Sequence, residues 1–298
     1  MNPSTESKSL AQSLIRDNSR PRAIFELVMT GLSGICIGLT ILPLFAVLTY
    51  VMIKGGSRLS LALFTQLPPA AGQTGGGIAN AIVGTFITVG IASVIAVPIG
   101  VLAAVYLSEF SFSSQLAREV ARWIRFATNV LSGVPSIIAG VFAYSLVVLT
   151  TGTFSALAGG VALSVLMLPT IIRTTDEALQ IVPQDIRWAS VGVGASNYQT
   201  VLKVVLPAAL PAILTGVTLA VARASGETAP LLFTALNSNF WPRGLMAPTP
   251  SLAVLVYNFA SSFDLKLQEL AWAASLVLVL LVLLSSIIAR LATRQSQF

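Results

Sequence analysis

The sequence predicts an all-α polytopic membrane protein with six transmembrane helices. Three observations carry this. The 298-residue chain is 55% apolar and only 9% charged, whereas a soluble domain carries about 25% charged residues. Its mean hydropathy is +0.86. Its apolar runs are continuous rather than alternating, which favours membrane helices of about 20 residues over a closed β-barrel.

The elements follow in chain order. Residues 1–22 are polar and carry Lys8, Arg16, Arg20 and Arg22, which predicts a cytoplasmic N-terminal tail. The apolar stretch from Ile24 to Met52 is too long for a signal-peptide core and no clean small-residue cleavage site follows it, so it reads as an uncleaved first span. Segment 55–77 is irregular, with Pro68-Pro69 and Gly75-Gly76-Gly77. The second span is expected over Ala79–Leu107. Gly90, Pro98 and Gly100 inside it permit close helix contact or a kink where neighbours compensate. Ser108–Arg125 reads as a polar loop and Ala127–Leu149 as the third span, which contains Ser132-Gly-Val-Pro-Ser136. A short turn, Thr150–Thr153, leads to the fourth span, Phe154–Ile172. The fifth span is expected over Ala208–Ala235, after a polar interval. A polar-aromatic loop, 236–268, precedes the sixth span, Leu270–Leu291. Residues 292–298 form a cytoplasmic C-terminal tail. The six-helix transmembrane domain is thus 23–291.

Six spans put both termini on one side. With that side as the cytoplasm, inner segments hold twelve Lys and Arg, outer segments hold four, and Arg223 lies within a span. This bias satisfies the positive-inside rule for a prokaryotic plasma (inner) membrane. The net charge of +6 is spread through short loops, so nucleic acid is not the expected partner, and membrane lipid is.

Several chemistries are excluded by residue type. Cys36 is the single cysteine and there is no histidine, which removes a disulfide framework and the usual His/Cys metal sites. No catalytic residue or metal site is expected. Lys8, Lys54, Lys203 and Lys266 follow no GxxxxG pattern, so there is no phosphate-binding loop for a nucleotide. No cofactor is expected on this chain. If ATP drives the protein, ATP and its magnesium bind another subunit.

The polar interval is the stretch Trp188-Ala-Ser-Val-Gly-Val-Gly-Ala-Ser-Asn-Tyr-Gln-Thr-Val-Leu-Lys-Val-Val-Leu-Pro207. Trp188, Ala189 and Ser190 form a compact helical face. Gly192 and Gly194 break it, since glycine tolerates backbone angles that other residues avoid. Ser196 and Gln199 have capping-box spacing and start a second short helix. Leu206-Pro207 launches the next span, proline being suited to a first helical turn. The product is a helix–turn–helix able to serve as a docking knob.

This loop resembles the signature of ABC-importer permeases, E-A-A-x3-G-x9-I-x-L-P. Trp188, Ala189 and Ser190 occupy the E-A-A positions, Gly194 the glycine, Val204 the isoleucine, and Leu206-Pro207 close the pattern. The acidic first residue is missing, so docking there is expected to use shape and apolar contact. Further stretches resemble the phosphate-specific ABC transporter permeases of the PstA type: Gly76–Thr85, Tyr106-Leu-Ser-Glu109, Ser132–Ser136, Leu168–Leu179 and Ala222–Thr234. The resemblance implies a type I ABC importer permease architecture with a coupling loop at 185–207. It also implies a PstC-type second permease, two copies of a cytoplasmic ATPase and an extracytoplasmic phosphate-binding protein.

Arg223 and Glu227 are four residues apart, so they share a helix face and can pair. Arg223 lies sixteen residues past Pro207. At about 1.5 Å per residue, that is near or past the midplane of a ~30 Å core, where a charge costs at least about 2.5–3.5 kcal/mol. The functional reading puts the pair on a polar pathway, with the planar guanidinium suited to a phosphate oxyanion. The bland reading is a pair that fixes helix packing. Ser132 and Ser136 flank Pro135 and either contribute donors to the pathway or compensate a kink. Thr170, Thr174 and Thr175 read first as helix-satisfying hydroxyls. Asp176 and Glu177 beside Arg173 read as a solvated charged face. Gly75-Gly76-Gly77 reads as an outer loop. Trp241, Pro242 and Tyr257 suit either a binding protein or the membrane interface. A permease for sulfate or molybdate has the same fold physics as one for phosphate. An ion-coupled carrier would show repeat symmetry, which is not found.

Overall fold

The structure, a computed structural model, describes residues 21–70, 73, 75–111 and 114–294. Residues 1–20 and 295–298, which hold most of both expected tails, lie outside the described residues. The chain divides into two compact units, Met1–Ile53 and Lys54–Phe298. The first is built on α1 (Pro21–Gly56), 36 residues with Pro43 inside. At about 1.5 Å per residue it exceeds what a ~30 Å core needs.

In the second unit the irregular segment before the second span holds a short helix, α2 (Leu61–Thr65). The second span, α3 (Ala79–Val105), continues through a π turn, Tyr106–Phe110. The fourth span, α6 (Ala156–Ile181), starts where Ser155 accepts a hydrogen bond from the Ala158 amide, an N-cap worth about 1 kcal/mol. It runs nine residues past the expected end at Ile172. The charged residues 173–177 stop the apolar pattern but not the helix. It ends because Pro183 holds Val182 extended (φ −66°, ψ 120°), as the residue before a proline is disfavoured in the α region.

The same rule breaks the third span. Pro135 holds Val134 at φ −73°, ψ 126°, so α4 (Gln115–Gly133) ends and α5 (Ser136–Ala143) restarts, continuing through a π turn to Thr151. The two limbs are bent by 110°. The third span expected at Ala127–Leu149 is therefore a bent pair, with the kink at Pro135 sharper than a bend within one helix. Arg118, Arg122 and Arg125 stand on helix α4, not in a loop, because Ala117, Ala121 and Thr128 recur on one buried face.

The polar interval supplies α7 (Gln184–Gly192) and the start of α8 (Asn197–Ser225). The second short helix is therefore continuous with the fifth span. A π turn at Val201–Val205 precedes Pro207, where a proline ring crowds the carbonyl four residues back. The fifth span ends at Ser225, not Ala235. Gly226 caps it and a separate helix follows, α9 (Ala229–Thr234). The long loop after it contains the apolar helix α10 (Leu252–Ala260), with Leu252, Val254, Leu255 and Phe259 buried. The sixth span lies in α11 (Leu265–Arg294).

Five helices among the described residues are long and apolar enough to cross a membrane, and the bent pair makes six if it is one span. Helix α6 is the centre of the second unit, packed by α3 and α8. Small residues bring the backbones together. A Cβ at Gly160 would stand 2.4 Å from Ile91 Cγ2, one at Gly100 2.7 Å from Ile171 Cγ2, and one at Gly216 2.2 Å from Thr174 Oγ1. Membrane helices associate through such contacts, because lipid gives no hydrophobic drive between them. Val89, Ala92, Leu163, Met167, Ile171 and Ala220 form the core between α3, α6 and α8.

Candidate functional site

A cavity of about 300 Å³ opens beside α6, lined by Ser132, Thr170, Arg173, Thr174, Glu177 and Arg223 among others. The bend at Pro135 presents Ser132, and the extension of α6 presents Arg173 and Glu177. Arg223 stands in the last turn of α8, where the helix dipole favours a cation.

Arg223 Nε lies 3.5 Å from Glu227 Oε1. The pairing is as expected, but not on one helix. Glu227 follows the helix end, and a turn in which its amide donates to the Ala224 carbonyl at 3.2 Å keeps the spacing. The Arg223 side chain is 66% exposed and Glu227 17%. Arg173 Nε lies 3.3 Å from Glu177 Oε1. The cavity thus receives two arginines, each held by a glutamate four residues on. The Arg173–Glu177 pair is exposed on both sides, and such pairs are weak, about 0–1 kcal/mol, so that guanidinium is easily redirected.

Two of the cavity's three hydroxyls are bonded to backbone. Ser132 Oγ donates to the Thr128 carbonyl at 2.9 Å, and Thr174 Oγ1 to that of Thr170 at 2.9 Å. The remaining capacity of these two is to accept, so the arginines are the cavity's charged anion donors, with the Thr170 hydroxyl beside them. Ser136 does not line this cavity. Arg173 was legible only as a charge beside Glu177. The length of α6, set by Pro183, was the signal that placed it here.

The polar interval forms a hairpin with both arms in contact. Gly194 takes φ +94°, a region that favours glycine. The capping box is complete: the Gln199 amide donates to Ser196 Oγ at 3.3 Å, and the Ser196 amide to Gln199 Oε1 at 3.0 Å. Ser190 Oγ lies 3.0 Å from Thr200 Oγ1 across the arms. Trp188 is 69% exposed and Val193 87%, so the hairpin presents an apolar tip. Ala189 and Pro207 are exposed, while Val204 and Leu206 are half-buried. Arg187 and Glu109, to which sequence reasoning gave no pairing, lie 2.8 Å apart beside the hairpin with little exposure. No group of His, Cys, Asp or Glu among the described residues is arranged to hold a metal ion.

Residues 96–296 match the family described as binding-protein-dependent transport system inner membrane component. The phosphate transport system permease protein PstA of Yersinia pestis is 42% identical over 82% of this chain and 81% of its own. The protein of the same name in Haemophilus influenzae is 42% identical over 89% and 92%. The probable ABC transporter permease protein YqgI of Bacillus subtilis is 34% identical over 90% and 95%. Among solved structures, a chain of a bacterial alginate ABC transporter bound to an alginate pentasaccharide-loaded periplasmic protein aligns with TM-score 0.61 and 12% identity, covering 95% of this chain and 97% of that one. A chain of the inward-facing MetNI methionine ABC transporter aligns with TM-score 0.57 and 23% identity, covering 74% and 95%. These two likenesses concern the fold.

Proposed function

The chain belongs to the inner membrane components of binding-protein-dependent transport systems, and we propose on that premise that it is the PstA-type permease subunit of an ATP-driven phosphate importer. The observation that carries the substrate is the close relationship to phosphate transport permeases at 42% identity over most of the chain. The cavity suits that substrate. A tetrahedral oxyanion accepts hydrogen bonds from planar guanidinium forks, and Arg223 and Arg173 are the cavity's charged donors. The chain is a transport subunit, not an enzyme.

The proposed cycle uses each part in turn. An extracytoplasmic binding protein delivers phosphate to the outer face of this chain and a homologous PstC-type permease, which together form the pathway. Phosphate displaces Glu227 from Arg223, and Glu177 from Arg173, and passes along the side of α6. Ser132 lends an acceptor, and Ser136 a position at the start of α5. On the cytoplasmic side, where both termini lie in this reading, two ATPase subunits bind ATP with magnesium and close. Trp188, Ala189 and Ser190 on one arm of the 185–207 hairpin, Gly194 at its tip, and Val204, Leu206 and Pro207 on the other carry that closure to the spans. Docking uses the exposed Trp188 and Val193, since no carboxylate stands at the start of the motif.

Co-purification tests this. The ATPase should be retained by the native hairpin and lost when Val193 is replaced by aspartate. Uptake of phosphate by this chain alone, without ATP, would instead support an ion-coupled carrier.

A further inference from the structure

Arg187 and Trp188 are neighbours in sequence with opposite placements. Trp188 is exposed, whereas the Arg187 side chain is 14% exposed and that of its partner Glu109 9%. Arg187 Nη1 lies 2.8 Å from Glu109 Oε1, and Nη2 donates to the Leu179 carbonyl at 2.7 Å. Glu109 belongs to the π turn that ends the second span. Leu179 belongs to the last turns of the fourth span. One guanidinium therefore joins three elements: the first arm of the hairpin and the ends of two spans. The second arm reaches the same π turn, since the Tyr198 and Phe110 rings lie 6.5 Å apart.

We propose that the Glu109–Arg187 pair is the clamp that carries displacement of the hairpin into the second and fourth spans. This rests on the reading that the 185–207 hairpin docks the ATPase. Sliding α7 past the π turn would leave two enclosed charges unpaired, which is strongly unfavourable. Arg187 has no spare bond to lose, for its Nε is already buried without an acceptor. A push on the hairpin therefore moves the span ends with it, as packed elements shift between discrete arrangements and do not deform continuously. Arg187 and Glu109 are positioning residues: they touch neither phosphate nor ATP. Without the clamp the ATPases still close and hydrolyse, but less of each closure reaches the pathway.

The test is made on the whole complex in proteoliposomes, reading phosphate imported per ATP hydrolysed. Glu109→Gln and Arg187→Gln should each lower this ratio roughly tenfold, and the double variant no further, as expected when two residues act through one interaction. ATPase co-purification should stay at the native level. An unchanged ratio in either single variant, or losses that multiply in the double, would overturn the clamp. Should the glutamine variants fail to assemble, Arg187→Lys keeps the charge but not the fork. An intermediate ratio supports the clamp and a native ratio overturns it. Val193→Asp separates the underlying reading. Full retention of the ATPase and of the ratio in that variant would refute docking at the hairpin, whatever Glu109 does.

Discussion

Arg223 and Glu227 stand 3.5 Å apart across the end of the fifth span, one in its last helical turn and the other beyond Gly226. The pair is held by a turn and not by a helix, so Glu227 can swing away without unwinding α8. Replacing Arg223 with glutamine should abolish phosphate uptake while the complex assembles. Full uptake in that variant would remove Arg223 from the mechanism. Glu227→Gln keeps the shape and frees the guanidinium, so it should reduce transport less than loss of Arg223 does.

Arg173 faces the same cavity, paired with Glu177 at 3.3 Å. Arg173→Gln should raise the phosphate concentration for half-maximal uptake by about tenfold, the scale of one charge-assisted hydrogen bond. Uptake measured over a range of loaded binding protein checks this. A combined Arg173→Gln/Arg223→Gln chain should be silent.

Gly216 packs on Thr174, and an added Cβ would stand 2.2 Å from its Oγ1 and 2.6 Å from its Cβ. Gly216→Ala should destabilise the second unit by about 1–3 kcal/mol through overpacking. Thr174→Ala in the same chain should relieve part of that loss. Gly90, where a Cβ meets nothing within 4 Å, supplies the neutral control. Thermal unfolding of the detergent-solubilised complex reads all three.

Trp188 is 69% exposed at the hairpin. Trp188→Ala should leave the unfolding temperature unchanged and weaken ATPase binding by about 2 kcal/mol, as an aromatic anchor does. The loss should be nearly the same at low and high salt, because apolar contact is not screened as ion pairs are. A strong salt dependence of native docking would point to charges elsewhere.

Local chemistry was legible in the sequence at several residues that act on their own backbone, though Gly192, expected to break the first arm, stays in the last turn of α7. Ser196 and Gln199 close the capping box their spacing announces, and Gly194 takes the positive φ expected of it. Apolar runs located the spans but misplaced their ends. A helix stops when its backbone must stop, not when its side chains become polar. So α6 runs through Arg173–Glu177 to Ile181, just before Pro183, and α8 begins at Asn197, capped by Ser196, not at Pro207. The prolines carried the missing information: Pro135 and Pro183 each force the preceding residue out of the helix. In the site, Arg223–Glu227 was visible because its partners are local. Arg173 in the shared cavity, and Arg187 on Glu109, depend on contacts 50 and 78 residues apart along the chain. Periodicity holds no record of these.

The most direct measurement is uptake by the complete complex in proteoliposomes, with phosphate and sulfate offered in turn, with and without ATP. The predicted result is phosphate uptake that requires both ATP and the binding protein, with sulfate left outside. Sulfate taken up as well as phosphate, or phosphate entering without ATP, would contradict it.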